Sequence, residues 1–323
     1  MKKIYSGTQP TGIIHLGNYF GAIYNWVQLQ RDYDCMFCIV DMHALTVYQK
    51  PEELNLNIKK LTKLYLACGL DPKKNIIYRQ SDVPEHTELA WILDTITPMS
   101  ELERMTQYKD KSTQHKDNIN AGLFTYPVLM ASDILLYDTD VVPVGEDQIQ
   151  HVELARIIAK KFNNLYGDTF VLPEVKLNKV SARLKGLDNP EKKMSKSATS
   201  EYNYISLTDE PKLIEKKIMK AITDSGTDIK YSRDRAGLSN LMDIYSLITT
   251  ESTKEIEKQF EGKGYGDFKK SLSAHIINYL KPIQERYNAI EDNELEIVLN
   301  NGAKLARERA QKKIKDVKHK IGL

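Results

Sequence analysis

The sequence has few cysteines, no long apolar run and almost no net charge. Its 323 residues include three cysteines, and 46 basic residues nearly balance 44 acidic ones, for a net charge of +2. A charge this small neither favours nor excludes nucleic-acid binding. No stretch approaches the roughly 18 apolar residues of a membrane span, and the start, MKKIYSGTQP, lacks the apolar run of a signal peptide. We therefore expect a cytoplasmic protein without a membrane partner.

Two of the cysteines, Cys35 and Cys38, have the C-x-x-C spacing found in redox and metal sites. The run 35–40 is apolar and indicates a buried strand, in which positions three apart point to opposite faces. A shared metal or disulfide would require this segment to be helix or loop. We therefore predict structural thiols and no metal site built from protein ligands.

Apolar segments that alternate with amphipathic ones indicate the fold of the first half. The predicted strands are 3–6, 36–40, 75–80 and 141–145, and the predicted helices are 18–30, 51–68, 84–96, 121–137 and 146–163. Near-continuous apolar strands separated by helices predict an α/β fold with a doubly wound parallel sheet. Ligands of such sheets bind at the carboxyl ends of the strands, where the polar segments 7–18, 41–43, 80–82 and 145–147 should converge.

After residue 207 the strand alternation stops and helical patterns follow at about 237–249, 265–290 and 302–321. We predict two domains, 1–200 and a helical domain 201–323, and the last helix could pack back on the first domain. That helix is rich in basic side chains. They are Lys304, Arg307, Arg309, Lys312, Lys313, Lys315, Lys318 and Lys320. Such a face is either solvated or in contact with a phosphate backbone, and the sequence leaves both open.

Two short motifs point to phosphate chemistry. His15, Gly17 and Asn18 lie where a helix begins, and a helix N-terminus suits an anion; a plain capped turn is the alternative. Lys193 and Lys196, in KKMSKS, are spaced to hold a polyphosphate and to follow charge on a leaving pyrophosphate. The motifs together suggest a site for a polyphosphate.

Paired in this order, the motifs resemble the His-Ile-Gly-His and Lys-Met-Ser-Lys-Ser signatures of class I aminoacyl-tRNA synthetases. The blocks SGTQPTGIIHLGNYFGA, CIVDMHALTV, ELERMTQYK, TYPVLMASDILLYDTDVVPVGEDQIQHVELAR, KKMSKS and KPIQERY resemble bacterial tryptophanyl-tRNA synthetases nearly end to end. Asn18 replaces the last His of the first signature, as is general in tryptophanyl enzymes. Tyr5 stands where many of them have Phe.

The resemblance implies a Rossmann-like catalytic domain, an anticodon-binding helical domain, and activation of L-tryptophan by ATP with transfer to tRNA(Trp). It implies Mg²⁺ bound with the ATP, and a homodimer. The ATP-binding residues it implies are Gln9, Pro10, Thr11, His15, Gly17, Asn18, Gly145, Glu146, Asp147, Leu184, Lys193, Met194, Ser195, Lys196 and Ser197. Those implied to be catalytic are Lys193, Lys196, Gln9 and Lys111.

The implied tryptophan pocket needs a flat apolar slot with one acceptor for the indole N–H. Asp133 is the implied acceptor, because an isolated carboxylate in so apolar a helix needs a donor; pairing with a backbone N–H or an Arg is the alternative. The other pocket residues are Tyr5, His43, Tyr126, Met130, Val142, Val144 and Gln148.

Three other functions stay open from the sequence. A tyrosyl-tRNA synthetase would share the fold and the KMSKS loop. A nucleotidylyltransferase for a small metabolite would share the H-x-G loop but would not need the helical domain. A catalytically inactive RNA-binding paralogue would not need His15, Asn18, Lys193 and Lys196 intact.

Overall fold

The computed structural model describes residues 1–106, 120–177, 184–195 and 200–323. A parallel sheet carries five strands, β1 Lys3–Thr8, β2 Asp34–Ile39, β3 Ile76–Arg79, β4 Val141–Val144 and β5 Glu174–Leu177, in the order β3-β2-β1-β4-β5. The order reverses between β1 and β4, which is where doubly wound sheets bind their ligands. The predicted fold class is confirmed.

The four predicted strands are present, and β5 was missed. Its sequence, EVKL, has no buried residue, unlike β2, which is almost entirely buried. An edge strand packed this lightly leaves no apolar run to detect. Cys35 and Cys38 lie buried in β2 as free thiols, in agreement with the strand prediction.

The other regular elements of the described residues are mainly helices. They are α1 Leu16–Asn18, α2 Tyr24–Leu29, α3 Asp41–Ala44, α4 Pro51–Ala67, α5 Glu85–Asp94, α6 Met99–Glu103, α7 Ala121–Leu135, α8 Ile149–Tyr166, α9 Pro211–Lys220, α10 Ala236–Thr249, α11 Thr253–Gln259, α12 Tyr265–Ala289 and α13 Asp292–Ile321. A π-helical turn, Tyr19–Ile23, joins α1 to α2. None of the helices in the described part of the chain is both long and apolar enough to cross a bilayer.

The chain forms two compact units. The sheet unit comprises Met1–Thr11, Trp26–Asn178 and Ile290–Leu323, and the helical unit comprises Gly12–Asn25 and Lys179–Ala289. These ranges differ from a division at residue 200, because both signature motifs fall in the helical unit and α13 falls in the sheet unit. The assignment of roles to 1–200 and 201–323 stays a prediction.

Helix α13 packs closely against the sheet. A Cβ at Gly302 would lie 1.8 Å from the carbonyl oxygen of Ile77 in β3, so only glycine allows this approach. Five of its basic side chains contact acids or carbonyls of the same unit. The pairs are Arg307–Glu85, Arg309–Asp34, Lys313–Asp138, Lys318–Glu88 and Lys320 with the Asp168 carbonyl. Much of the charge on α13 therefore has an intramolecular role.

Candidate active site

The carboxyl ends of β1, β2 and β3 bring three of the predicted polar segments together in the sheet unit. Asp41, which follows β2, accepts hydrogen bonds from the Ser81 backbone N–H at 3.0 Å and from Ser81 Oγ at 2.5 Å. Gln9, which follows β1, donates to the backbone carbonyl of His43 at 3.5 Å. In the turn that follows, the Thr11 N–H donates to the Gln9 carbonyl, and Pro10 is buried. The expected convergence of these segments is present.

Asp133 lies on α7, and its side chain is almost completely buried. Its Oδ2 is 2.9 Å from His43 Nε2, and its Oδ1 accepts from Gln80 Nε2 at 2.6 Å and lies 2.6 Å from His86 Nδ1. Burial raises the pKa of Asp133, but His86 and His43 outweigh burial and hold the pKa below its ordinary value. A carboxylate ion is therefore fixed inside the apolar part of this unit.

The apolar residues predicted for the amino-acid slot lie together in the core of the sheet unit. Tyr5, Val142 and Val144 belong to one buried cluster, against which Met130 packs. The ring of Tyr5 stacks on Tyr137, with ring centroids 5.9 Å apart and planes at 12°. An apolar aromatic cluster near an anion suits an aromatic ring that carries an N–H.

Two further predicted pocket residues extend the polar end of this region. Tyr126 contacts His43 edge to face at 6.2 Å between centroids, and its hydroxyl is 2.9 Å from His151 Nε2. Burial raises the pKa of Tyr126 to about 12, so the phenol keeps its proton at neutral pH. The phenol therefore serves as a hydrogen-bonding group rather than as a base.

The segment after β4 forms a short 3₁₀ turn, Glu146–Gln148. Gln148 Nε2 donates to Asp147 Oδ2 at 2.7 Å, and a Cβ at Gly145 would lie 2.8 Å from Asp147 Oδ1. Glu146 and Asp147 are solvent-exposed. Gly145 thus leaves room for an accessible carboxylate at the end of a strand.

In the helical unit, His15 and Asn18 cap α1 reciprocally. His15 Nδ1 accepts from the Asn18 N–H at 3.4 Å, and Asn18 Oδ1 accepts from the His15 N–H at 3.2 Å. A Cβ at Gly17 would lie 3.0 Å from the His15 ring and 3.7 Å from the Cβ of Met194. Gly17 therefore makes room for the His15 ring, and the first signature packs against the second.

The start of the KMSKS segment is part of a hairpin in the same unit. The Met194 N–H donates to the Leu184 carbonyl at 2.8 Å, Lys185 pairs with Lys193, and the Ser195 N–H donates to Asn203 Oδ1 at 2.9 Å. Leu184 and Met194 are buried, whereas Lys193 is exposed. The exposed ammonium thus stands on a fixed backbone. Lys111, Lys196 and Ser197 lie outside the described residues.

Sequence reasoning missed His86 and Asn203, and it placed Gln80 in the polar segment 80–82 without giving it a role. Gln80 and His86 hold Asp133, and Asn203 holds Ser195 and also donates to Asp188 at 2.5 Å. The available signal was the polar character of Gln80 and His86 in otherwise apolar surroundings. The sequence does not say which buried polar groups meet.

Comparison with known proteins shows the family of this chain. The family model for class I tRNA synthetases (W and Y) matches residues 1–281. A tryptophan–tRNA ligase of Oceanobacillus iheyensis is 53% identical, with 100% of this chain and 99% of the relative covered. The crystal structure of tryptophanyl-tRNA synthetase from Mycoplasma pneumoniae aligns with a TM-score of 0.91 at 34% identity, covering 100% of this chain and 98% of that one.

A second structure adds ligands. Tryptophanyl-tRNA synthetase from Campylobacter jejuni, complexed with ADP and tryptophan, aligns with a TM-score of 0.87 at 42% identity and covers 99% of this chain and 100% of that one. The chain belongs to the class I tRNA synthetases, in the group of the tryptophan–tRNA ligases. The resemblance drawn from the two signatures is confirmed.

Proposed function

We propose that the protein activates L-tryptophan with ATP and transfers the tryptophanyl group to tRNA(Trp), with release of AMP and pyrophosphate. The observation that carries this proposal is the ionised Asp133 inside an apolar aromatic cluster, in a chain that matches tryptophan–tRNA ligases over its whole length. An anion in this position favours the binding of a ring that donates a hydrogen bond.

In the first step, the tryptophan carboxylate attacks the α-phosphorus of ATP and pyrophosphate leaves. In the second step, a terminal ribose hydroxyl of the tRNA attacks the acyl carbon and AMP leaves. Neither step needs a protein nucleophile, because the substrates supply the attacking groups and the leaving groups, and the protein contributes positioning and charge stabilisation. A site rich in amides and ammonium groups meets that need.

Asp133 accepts the indole N–H, and Tyr5, Met130, Val142 and Val144 enclose the ring. His43, Tyr126 and Gln148 hold the amino and carboxyl groups of the substrate. Hydrogen-bond recognition discriminates far more strongly than apolar fit, because a wrong substrate leaves a buried polar group unpaired. Tryptophan should therefore be preferred over phenylalanine by much more than the difference in ring size explains.

For ATP, we propose that Gln9, Pro10, Thr11, His15, Gly17 and Asn18 bind phosphates and ribose, and that Gly145, Glu146 and Asp147 bind the nucleoside. Leu184, Met194, Ser195 and Ser197 complete the ATP contacts. Lys193, Lys196, Gln9 and Lys111 stabilise charge as the pyrophosphate leaves. An ammonium on a fixed hairpin, like that of Lys193, can oppose this charge without reorganisation.

Mg²⁺ accompanies ATP in this proposal. Within residues 1–106, 120–177, 184–195 and 200–323, no three His, Cys, Asp or Glu side chains cluster as metal ligands. Mg²⁺ takes its ligands mainly from phosphate oxygens and water, so it needs few protein ligands. When bound, the cation neutralises phosphate charge.

We also propose a cytoplasmic homodimer. Trp91 and Met99 are among the exposed large apolar side chains of the sheet unit, at 72% and 61% of their surface. A partner subunit that covers them would remove this surface from water. Light scattering should report a dimer for the protein, and a Trp91→Lys variant should shift it toward monomer if this face is the interface.

Amino-acid-dependent ATP–pyrophosphate exchange tests the function. Across all twenty amino acids, tryptophan should give the dominant exchange, and the protein should then charge tRNA(Trp). Dominant exchange with tyrosine would favour a tyrosyl enzyme, and exchange only with a non-amino-acid substrate would favour a nucleotidylyltransferase.

A variant of the KMSKS loop tests the mechanism. Lys196→Ala should slow adenylate formation on the order of 100-fold while it changes tryptophan binding little, because the ammonium acts on charge that develops in the transition state. Equal effects on both would mean that the loop binds the ground state uniformly.

A further inference from the structure

The carboxylate of Asp133 is held on both oxygens by buried donors. His43 approaches Oδ2, whereas Gln80 and His86 both approach Oδ1 at 2.6 Å. Burying a carboxylate is costly unless donors compensate it, so these neighbours decide its charge and its orientation. Gln80 and His86 are fully buried, which gives them one fixed arrangement.

His86 is connected to a second layer of buried hydroxyls. Its Nε2 is 2.9 Å from the Tyr137 hydroxyl and 3.0 Å from the Tyr78 hydroxyl, and Tyr78 donates to Tyr137 at 3.0 Å. Tyr137 already accepts the proton of Tyr78, so we assign the single proton of Tyr137 to His86 Nε2, which lies within hydrogen-bond distance of it. His86 Nε2 is then an acceptor.

With Nε2 as the acceptor, the ring proton of a neutral His86 lies on Nδ1, next to Asp133. The Nδ1–Oδ1 contact is short but poorly aligned, so Nδ1 lacks a well-formed hydrogen bond. A bare ring nitrogen would repel a carboxylate oxygen at this distance, whereas an N–H is attracted to it. Both sides of the ring therefore favour the Nδ1–H tautomer.

The backbone of His86 is fixed as well. Its carbonyl accepts from Ser132 Oγ at 2.6 Å, and Ser132 is the residue before Asp133 on α7. The side chain and the backbone of His86 thus meet adjacent residues of one helix. This double connection sets the position of the imidazole relative to the carboxylate.

We propose that His86 is a positioning residue for tryptophan selectivity. Its Nδ1–H holds Oδ1 of Asp133, so that the carboxylate stays ionised and presents an acceptor to a ring N–H of the substrate. Tyr137 and Tyr78 keep His86 in the tautomer that does this. The proposal rests on the proposed function, because it concerns how the same pocket recognises an aromatic amino acid with a ring N–H.

Two substitutions at residue 86 distinguish the role of Nδ1 from the role of Nε2. In His86→Asn, the amide group stands at the place of Nδ1 and still donates to Asp133, although it loses the tyrosines. In His86→Gln, the amide stands at the place of Nε2, where it meets the tyrosine hydroxyls but not Asp133. Both variants remove the ring, so they are matched in the loss of aromatic packing.

The readout is the ratio of kcat/KM for tryptophan to that for its benzothiophene analogue, in which sulfur replaces the indole N–H. Pyrophosphate exchange measures both values. We expect His86→Gln to lower the ratio about tenfold and His86→Asn to keep it within about threefold of the unsubstituted protein, since one hydrogen bond to a charged group separates them. A general loss of packing would instead lower both rate constants and leave the ratio unchanged.

Equal ratios in the two variants, with folding verified by circular dichroism, would overturn the proposal. If His86→Gln does not fold, the isosteric double variant Tyr78→Phe/Tyr137→Phe replaces it; its ratio should fall, and an unchanged ratio overturns the proposal. Absence of any tryptophan-dependent exchange in the unsubstituted protein would contradict the proposed function instead. Exchange without preference over the analogue would contradict the contact between Asp133 and the indole N–H, and the inference with it, but not the activation of tryptophan by ATP.

Discussion

Replacing Asp133 by asparagine tests the carboxylate that the proposed site is built around. The carboxylate faces three donors, from His43, Gln80 and His86. Asparagine has one acceptor oxygen, and its NH₂ must replace the other. The least costly arrangement keeps the amide oxygen at the Oδ1 position and turns the NH₂ toward His43 Nε2, which must then be the unprotonated nitrogen of that ring.

The magnitude follows from the change in these bonds. A hydrogen bond to a charged group contributes about 1.5–3 kcal/mol and a neutral one about 0.5–1.5 kcal/mol. Two hydrogen bonds and the close contact with His86, each weakened by about 1 kcal/mol, give a destabilisation of about 3 kcal/mol for Asp133→Asn. The sign is set by the lowered pKa of Asp133, because His86 and His43 favour its charged form more than burial disfavours it.

The pH dependence provides an internal control. A carboxyl group whose pKa is lower in the folded state stabilises the protein above its unfolded pKa of about 3.9, and this contribution is lost as the pH falls through the folded pKa. Urea unfolding should therefore show the full difference between Asp133→Asn and the unsubstituted protein at pH 7, and a smaller one below about pH 4. Equal unfolding free energies at pH 7 would refute the electrostatic reasoning.

The same variant should lose selectivity for tryptophan, because an amide can turn its N–H toward the indole N–H. Pyrophosphate exchange with tryptophan and with its benzothiophene analogue measures this. Unchanged exchange in a folded Asp133→Asn protein would remove Asp133 from the pocket. Loss of stability without loss of selectivity would assign the carboxylate to the fold alone.

Two further substitutions test the packing and the charges of the sheet unit. Gly302→Ala should lower the free energy of unfolding by about 3 kcal/mol, because its Cβ would lie 1.8 Å from the Ile77 carbonyl oxygen. The control is Gly266→Ala, a helical position with open space around it, which should be neutral or slightly stabilising in the same urea titration. Asp94→Asn should stabilise the protein by about 1 kcal/mol at pH 7.5. This free energy is smaller than the pKa shift of Asp94 alone would give, because the side chain is partly exposed to solvent. Burial raises the pKa of Asp94 to about 6, so its charge destabilises the folded state increasingly as the pH rises from about 4 to 6. If the free energy of unfolding of Asp94→Asn has the same slope against pH in this range as that of the unsubstituted protein, this reasoning is wrong.

The sheet and its polar edge could be predicted from the sequence because their signals are local. An apolar strand followed by a polar segment marks both the strand and the edge at which it ends. β5 could not be found in this way, since it is short, exposed and mostly polar. Helix α13 begins at Asp292, ten residues before the predicted start at 302, although Leu295 and Leu299 continue its buried stripe.

The candidate site was predictable as a set of residues but not as a network. The apolar helix around Asp133 requires a partner for the carboxylate, and the alternatives weighed were a backbone N–H, an Arg or the substrate. The structure instead supplies His43, Gln80 and His86, which lie 90, 53 and 47 residues away in the chain. Pairing over such separations depends on the order of the strands, which a single sequence does not state.

The neighbours of Asp133 also bear on how the pocket tells ring donors apart. Burial raises the pKa values of Tyr5, Tyr78, Tyr137 and Cys38, and the charge of Asp133 adds to this rise for Tyr5, Tyr137 and Cys38, so these groups stay neutral. An anion among neutral groups attracts a ring N–H and a phenol O–H alike. Discrimination against tyrosine must therefore come from the position of its O–H, which differs from that of the indole N–H, and from the volume that its smaller ring leaves unfilled. Phenylalanine leaves the same volume unfilled and has no hydrogen-bond donor on its ring. If the Asp133 carboxylate can move toward the phenol O–H, tyrosine should be rejected less strongly than phenylalanine. If the network around His86 holds the carboxylate fixed, the two should be rejected equally strongly.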